Sequence, residues 1–76
     1  MSDEANLLQR HIEEAESRLQ RGQRNVDRQR KVVSELERDN DDATIAKRLL
    51  SMLEKALAIH IADRDRLTKR LARPPR

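Results

Sequence analysis

Apolar residues in this chain recur three and four positions apart, and their densest run lies within residues 49–61. On a helix this run forms two stripes. The first consists of Leu50, Leu53, Leu57 and His60, and the second of Ile45, Leu49, Met52, Ala56 and Ile59. Together they cover roughly half of the helix circumference, against about 100° for an ordinary amphipathic helix. One partner helix cannot cover so wide an arc, so we expect burial on one side by the same chain and on the other by a second copy.

The first half of the chain carries one narrow stripe with strict 3,4 spacing over about five heptads, which is the coiled-coil period. Its members are Ala5, Leu8, Ile12, Ala15, Leu19, Gly22, Val26, Gln29, Val33 and Leu36. The stripe predicts a helix over about residues 3–38, with Ser2 as its N-cap and the acidic Asp3 and Glu4 in its first turn.

The stripe stops at four consecutive Asp and Asn residues, 39–42, which disfavour a helix interior. Asn40 is expected to take the left-handed conformation that ends the first helix. Asp42 is the predicted N-cap of the second helix, with Asp41 as the alternative. So short a turn returns the second helix against the first.

The second helix is predicted over about residues 43–72, with a tail at 73–76 because Pro74 and Pro75 cannot continue a helix. Its intrachain stripe is Ala43, Ala46, Leu50, Leu53, Leu57, His60, Arg64, Leu67 and Leu71. Antiparallel pairing of the two stripes places Gly22 opposite His60. It also brings Glu13, Glu14 and Glu16 beside Lys69, Arg70 and Arg73. The predicted fold class is therefore all-α, a single antiparallel two-helix hairpin with coiled-coil packing.

A lone hairpin would leave a continuous apolar surface without a partner, which soluble monomers seldom tolerate. We name it the interface patch: Val32, Leu36, Ile45, Leu49, Met52, Ala56 and Ile59. A two-fold dimer is the commonest way to cover such a patch. Met52 lies midway between Ile45 and Ile59, which predicts a homodimeric four-helix bundle with its axis near Met52.

Composition narrows the possible functions. The 76 residues are 41% charged and include neither aromatic residues nor cysteine, which excludes a disulfide framework and a thiolate nucleophile or metal site. No apolar run approaches the ~18 residues of a membrane span. The acidic start is unlike a signal peptide, so no membrane association and a cytoplasmic location are expected.

The net charge of +3 conceals an uneven distribution. Residues 18–31 carry six basic side chains and one acidic one, whereas residues 32–42 carry one basic and five acidic. A basic strip lies on the outer face of the first helix: Arg10, Arg21, Arg24, Arg28 and Lys31. A solvated face is the favoured interpretation, and contact with nucleic-acid phosphates is the alternative.

Several residues suggest chemistry, but none belongs to a recognisable constellation. His60 is expected to fill the space that Gly22 leaves and to hydrogen-bond a nearby polar group, because a metal site needs at least three convergent ligands. Arg64 is expected to extend its guanidinium towards Glu16 or solvent. Gln29 either sets the helix register or forms a polar layer at the surface. The sequence predicts no catalytic residue, cofactor or metal.

Several segments resemble a group of short bacterial helical-hairpin proteins of unknown function. The residues that carry the resemblance are 10–12, 28–33, 36–39, 49–50, His60 and 63–67. Members of that group often have Gly where this chain has Asn40. The resemblance implies a bacterial helical hairpin and supplies no function or site. In architecture alone the chain is also similar to small dimeric four-helix bundles that bind RNA loops.

The resulting functional hypothesis is a non-enzymatic structural and protein-interaction module. It is a homodimeric helical bundle that offers charged outer faces to an unidentified protein partner. The alternative is a nucleic-acid-binding bundle that uses the basic strip.

Overall fold

The computed structural model describes residues 3–73, which form two α-helices and the turn between them. Helix α1 spans Asp3–Arg38 and helix α2 spans Thr44–Ala72. Gly22 lies beside Leu57 and His60, whereas Glu37, near the end of α1, pairs with Lys47. The two helices therefore run antiparallel and form a rod of 59 × 16 × 13 Å. The prediction of an all-helical hairpin with two helices packed together is confirmed.

The seam between the helices is formed by two of the predicted stripes, the one on α1 and the intrachain stripe of α2. The buried residues are Ile12, Ala15, Val26 and Val33 from α1, with Leu57 from α2 and Ala43 just before it. Every other member of both stripes is half-buried except Ala5. Ala5 is exposed because antiparallel pairing places it beyond the last turn of α2. Burial is thus confined to one line of contact, and Val26 at its centre is fully enclosed.

The turn contains a left-handed residue, Asn40, as predicted. Asn40 has φ 59°, and the amide of Asp41 donates to the carbonyl of Leu36 at 2.8 Å while the amide of Asn40 donates to that of Glu37 at 3.2 Å. This pair of bonds is the Schellman motif, which satisfies carbonyls that the last turn of a helix leaves free. Asparagine tolerates the left-handed region better than most side chains, which explains its place here.

The start of α2 differs from the prediction by one residue. Ala43, not Asp42 or Asp41, occupies the N-cap position, and its carbonyl accepts the first helical hydrogen bond from the Lys47 amide. Asp42 lies one residue earlier, where its Oδ1 accepts bonds from the Thr44 hydroxyl at 2.6 Å and the Thr44 amide at 3.0 Å. These two bonds lower the pKa of the Asp42 carboxyl. The carboxylate therefore still satisfies a free helix amide, but through a local Asx turn. The other predicted caps, Ser2 and the proline stop, lie outside the described residues.

The ion pairs between the helices also differ from those expected. Within residues 3–73 the interhelical pairs are Arg30–Glu54 at 3.2 Å and Lys47–Glu37 at 2.8 Å, and none joins the Glu13–Glu14–Glu16 cluster to Lys69, Arg70 or Arg73. The hydrogen bond and the negative charge of Glu37 raise the pKa of Lys47. Both pairs are exposed, so solvent screens them and they add little to the stability of the hairpin.

The turn geometry makes a direct prediction for Asn40. Replacing Asn40 with Gly should leave the free energy of unfolding unchanged or raise it by up to about 1 kcal/mol, because glycine enters the left-handed region without a steric penalty. Asn40→Ala should lower it by about 1 kcal/mol. Thermal melts followed by circular dichroism at one protein concentration would measure both changes. A clear loss of melting temperature in Asn40→Gly would contradict this account of the turn.

Candidate interaction site

The interface patch lies on one side of the hairpin. Six of its members are exposed in the single chain, and Leu36 is half-buried because it also closes the seam next to the turn. The most exposed are Ile45, Met52 and Ile59. Beyond the patch, Leu7 and Ile61 are also exposed. The helix pairing therefore covers one stripe of α2 and leaves the other in solvent.

The basic strip lies where the sequence placed it, on the solvent side of α1. All five of its side chains are exposed. None of them takes part in an ion pair with a carboxylate in the described part of the chain. Arg21 and Arg28 lie seven residues apart on the edge of the strip nearest the interface patch, and Arg28 is about one helical turn before Val32.

Arg21 belongs to a groove of about 230 Å³ between the helices, which we call the arginine groove. It is lined by Arg18, Arg21, Gly22 and Asn25 from α1 and by Leu53, Ala56 and His60 from α2. One wall is therefore cationic and polar, and the other is mostly apolar. Ala56 belongs to the interface patch as well, so the groove opens directly onto that patch.

Gly22 lies at the centre of this groove, opposite His60 as predicted. A Cβ atom at Gly22 would lie 3.4 Å from Leu57 Cδ1 and 3.6 Å from His60 Cδ2, which are ordinary contacts. The glycine therefore widens the groove but is not required by a clash. The expected hydrogen bond of His60 is not formed, since no side-chain hydrogen bond among residues 3–73 involves it. Its ring is half-buried at the groove wall, where water can solvate it.

The two other polar seam residues have definite partners. The Gln29 side chain donates from Nε2 to the carbonyl oxygen of Ala46 at 3.0 Å, a partly buried bond that ties α1 to α2 at one level. Arg64 pairs through Nε with Asp65 at 2.8 Å rather than with Glu16. The neighbouring carboxylate is in reach without any extension across the seam, which explains the difference.

The rest of the described surface contains a further concavity and no recognisable metal site. A shallow concavity of about 540 Å³ runs along the basic end of α2, lined by Ala62, Asp65, Arg66, Lys69, Arg70 and Arg73. Within residues 3–73 no three His, Asp or Glu side chains converge as metal ligands would. Neither described helix has an apolar segment long enough to cross a bilayer.

Sequence reasoning missed Arg18 and Asn25 as groove residues. Both lie beside the seam of α1, about one turn before and after Gly22. Their spacing could have identified them, because residues 18, 21 and 25 share the flank of α1 that faces the second stripe of α2.

Comparison with known proteins adds no assignment. No family model matches the chain, and no curated protein or solved structure is detectably similar to it.

The contacts at Gly22 predict that alanine is tolerated there. Gly22→Ala should raise the free energy of unfolding by about 0.5–1 kcal/mol, because glycine is costly in a helix interior and the added methyl group finds ordinary contacts. The matched change is Ala15→Gly, at a buried position of the same seam, which should lower stability by at least that amount. Thermal denaturation at equal concentrations would compare them. A lower melting temperature for Gly22→Ala would show that the open groove itself is needed.

Proposed function

We propose that this chain is a non-enzymatic structural and protein-interaction module whose interface patch joins two copies into a four-helix bundle. The observation that carries the proposal is the exposure of large apolar side chains on α2. Ile45 is 80% exposed, Met52 66% and Ile59 65%, and they follow one another along a single face. Fully burying one such side chain contributes about 1.5–3 kcal/mol, before the entropic cost of association is subtracted.

The spacing of the patch favours a second copy as the occupant. Met52 stands seven residues from both Ile45 and Ile59, with Leu49 and Ala56 in between. A two-fold axis near Met52 would therefore pack the patch against itself with α2 antiparallel to α2 of the partner subunit. Ile45 of one copy would then meet Ile59 of the partner subunit. This self-complementarity is the requirement of a two-fold interface.

The thin core of the hairpin also supports association. Among the described residues only six are buried, and two of those are alanines. A single core in so small a chain rarely supplies more than about 3–5 kcal/mol. A second layer of contacts through the interface patch would turn the one-seam hairpin into a bundle with a central core. The charged outer faces would remain available to a further protein partner.

The dimer proposal predicts a specific effect of charge at Met52. The wild type should have twice the 8.9 kDa mass of the chain by light scattering at micromolar concentration. Met52→Glu should split the dimer and lower helix content, because folding and association are coupled. Ser51→Glu adds the same charge one residue away, on an exposed position outside the patch, and should leave the dimer intact. A wild type that stays monomeric at high micromolar concentration would overturn the proposal.

A second candidate function is nucleic-acid binding by the basic strip. The observation in its favour is that these five cations are exposed and form no ion pair with the described carboxylates. Arginine and lysine in a row along a helix can track phosphates, and such binding weakens steeply with salt. The chain offers no aromatic side chain for stacking on bases, so binding would depend on contacts between the strip and the phosphates.

Gel-shift titrations test this second function. If the basic strip binds, affinity for duplex or single-stranded RNA and DNA should fall by orders of magnitude from low to physiological salt. Arg24→Glu with Arg28→Glu should abolish the shift. The matched control, Arg48→Glu with Lys55→Glu on α2, changes the charge equally outside the strip and should retain it. Absence of any shift by the wild type at low salt would eliminate this function.

A further inference from the structure

The arginine groove and the interhelical turn carry opposite charges that the single chain leaves uncompensated. Arg18 and Arg21 form no ion pair with any carboxylate in residues 3–73, and the same holds for Asp39 and Asp41 with respect to the described basic side chains. All four side chains are exposed. Each hairpin therefore presents two free cations at one level and two free anions at another.

The two charged features lie at matching distances from Met52. Gly22 contacts Leu57 and His60, so Arg18 and Arg21 stand roughly level with residues 60–64 of α2. His60 is eight residues from Met52, or ~12 Å along the helix. Eight residues in the other direction lead to Thr44, where α2 begins and the turn lies immediately beyond. A two-fold axis at Met52 would bring the turn of one copy to the groove of the other.

We infer that the acidic turn, residues 39–42, of each copy docks at the arginine groove of its partner. This inference rests on the proposed dimer. It names a charged contact at each end of the apolar interface, formed twice by symmetry. Asp39 and Asp41 provide the carboxylates, whereas Asp42 is already engaged by Thr44.

The groove suits this occupant. Its volume of about 230 Å³ is below the ~300–1,000 Å³ of typical small-molecule pockets, but it is enough for carboxylate side chains. Arginine forms paired hydrogen bonds with a carboxylate, and its charge is weakly hydrated, which suits interfaces. The apolar wall of Leu53 and Ala56 adjoins the interface patch, so the charges would meet at the edge of a dry surface, where ion pairs are stronger than in open solvent.

The arrangement would also select the orientation of the dimer. Parallel packing of two hairpins would place turn beside turn and groove beside groove, with like charges together. Antiparallel packing places each turn beside a groove. Repulsion in the wrong arrangement contributes to specificity as much as attraction in the right one.

A charge-exchange experiment tests the inference. One variant carries Arg18→Glu and Arg21→Glu, and the other carries Asp39→Lys and Asp41→Lys. In either variant alone, groove and turn have the same sign, so dimer affinity should fall by about tenfold or more. An equimolar mixture restores opposite signs at both contacts and should form heterodimers with near wild-type affinity. Native mass spectrometry distinguishes the species, and circular dichroism reports recovery of helix if either variant unfolds alone.

The control is Arg24→Glu with Lys31→Glu, an equal change of charge on the outer face of α1, which should dimerise like the wild type. Two variants that both dimerise like the wild type would overturn the docking and leave the dimer standing. That result would be consistent with a groove that binds a phosphate, either free or in a nucleic acid, instead of the turn. If each variant alone loses dimer affinity and the mixture does not regain it, the pairing of turn and groove is overturned. This holds whether the separate variants are folded or unfolded. A monomeric wild type would instead refute the dimer itself.

Discussion

Two helices can bury only one seam between them, and the rest of this structure depends on that limit. Helix α1 satisfies it, because its apolar stripe is narrow and every member from Leu8 to Leu36 lies in the contact. Helix α2 exceeds it, because its two stripes span more than one neighbour can cover. The hairpin therefore leaves Ile45, Met52 and Ile59 in solvent. The exposed patch, the thin core and the groove beside it are consequences of one helix that has more apolar surface than its partner can take.

The sequence predicted the features that are set by periodicity and local sterics. The 3,4 spacing identified the seam residues, including polar ones such as His60 and Arg64, since a position on a helix face does not depend on chemistry. Asn40 was identifiable because few residues accept a left-handed backbone. The dimer, by contrast, concerns a surface outside the hairpin, so the patch was predicted by the same pattern but its covering remains a proposal.

The features that sequence missed are those decided by competition among several possible partners. Asp42 could occupy the N-cap position of α2 or bond Thr44 in a local turn. It forms the local turn, and α2 therefore begins one residue later than predicted. Arg64 was expected to extend towards Glu16 or solvent, and instead of pairing with Glu16 it pairs with the next residue, the exposed Asp65. The groove is lined by residues from the facing flanks of two helices. The spacing of residues within one helix therefore could not predict it.

The antiparallel course has a mechanical consequence. Asp3 and Arg73 lie at the same end of a 59 Å rod, opposite the Asn40 turn. A force applied between these two points would act across the seam and load one layer of contacts at a time, first near Ile12 and last near Val33. Such a rod peels open like a zipper at low force. The same helices pulled along their length in opposite directions would have to break all layers together.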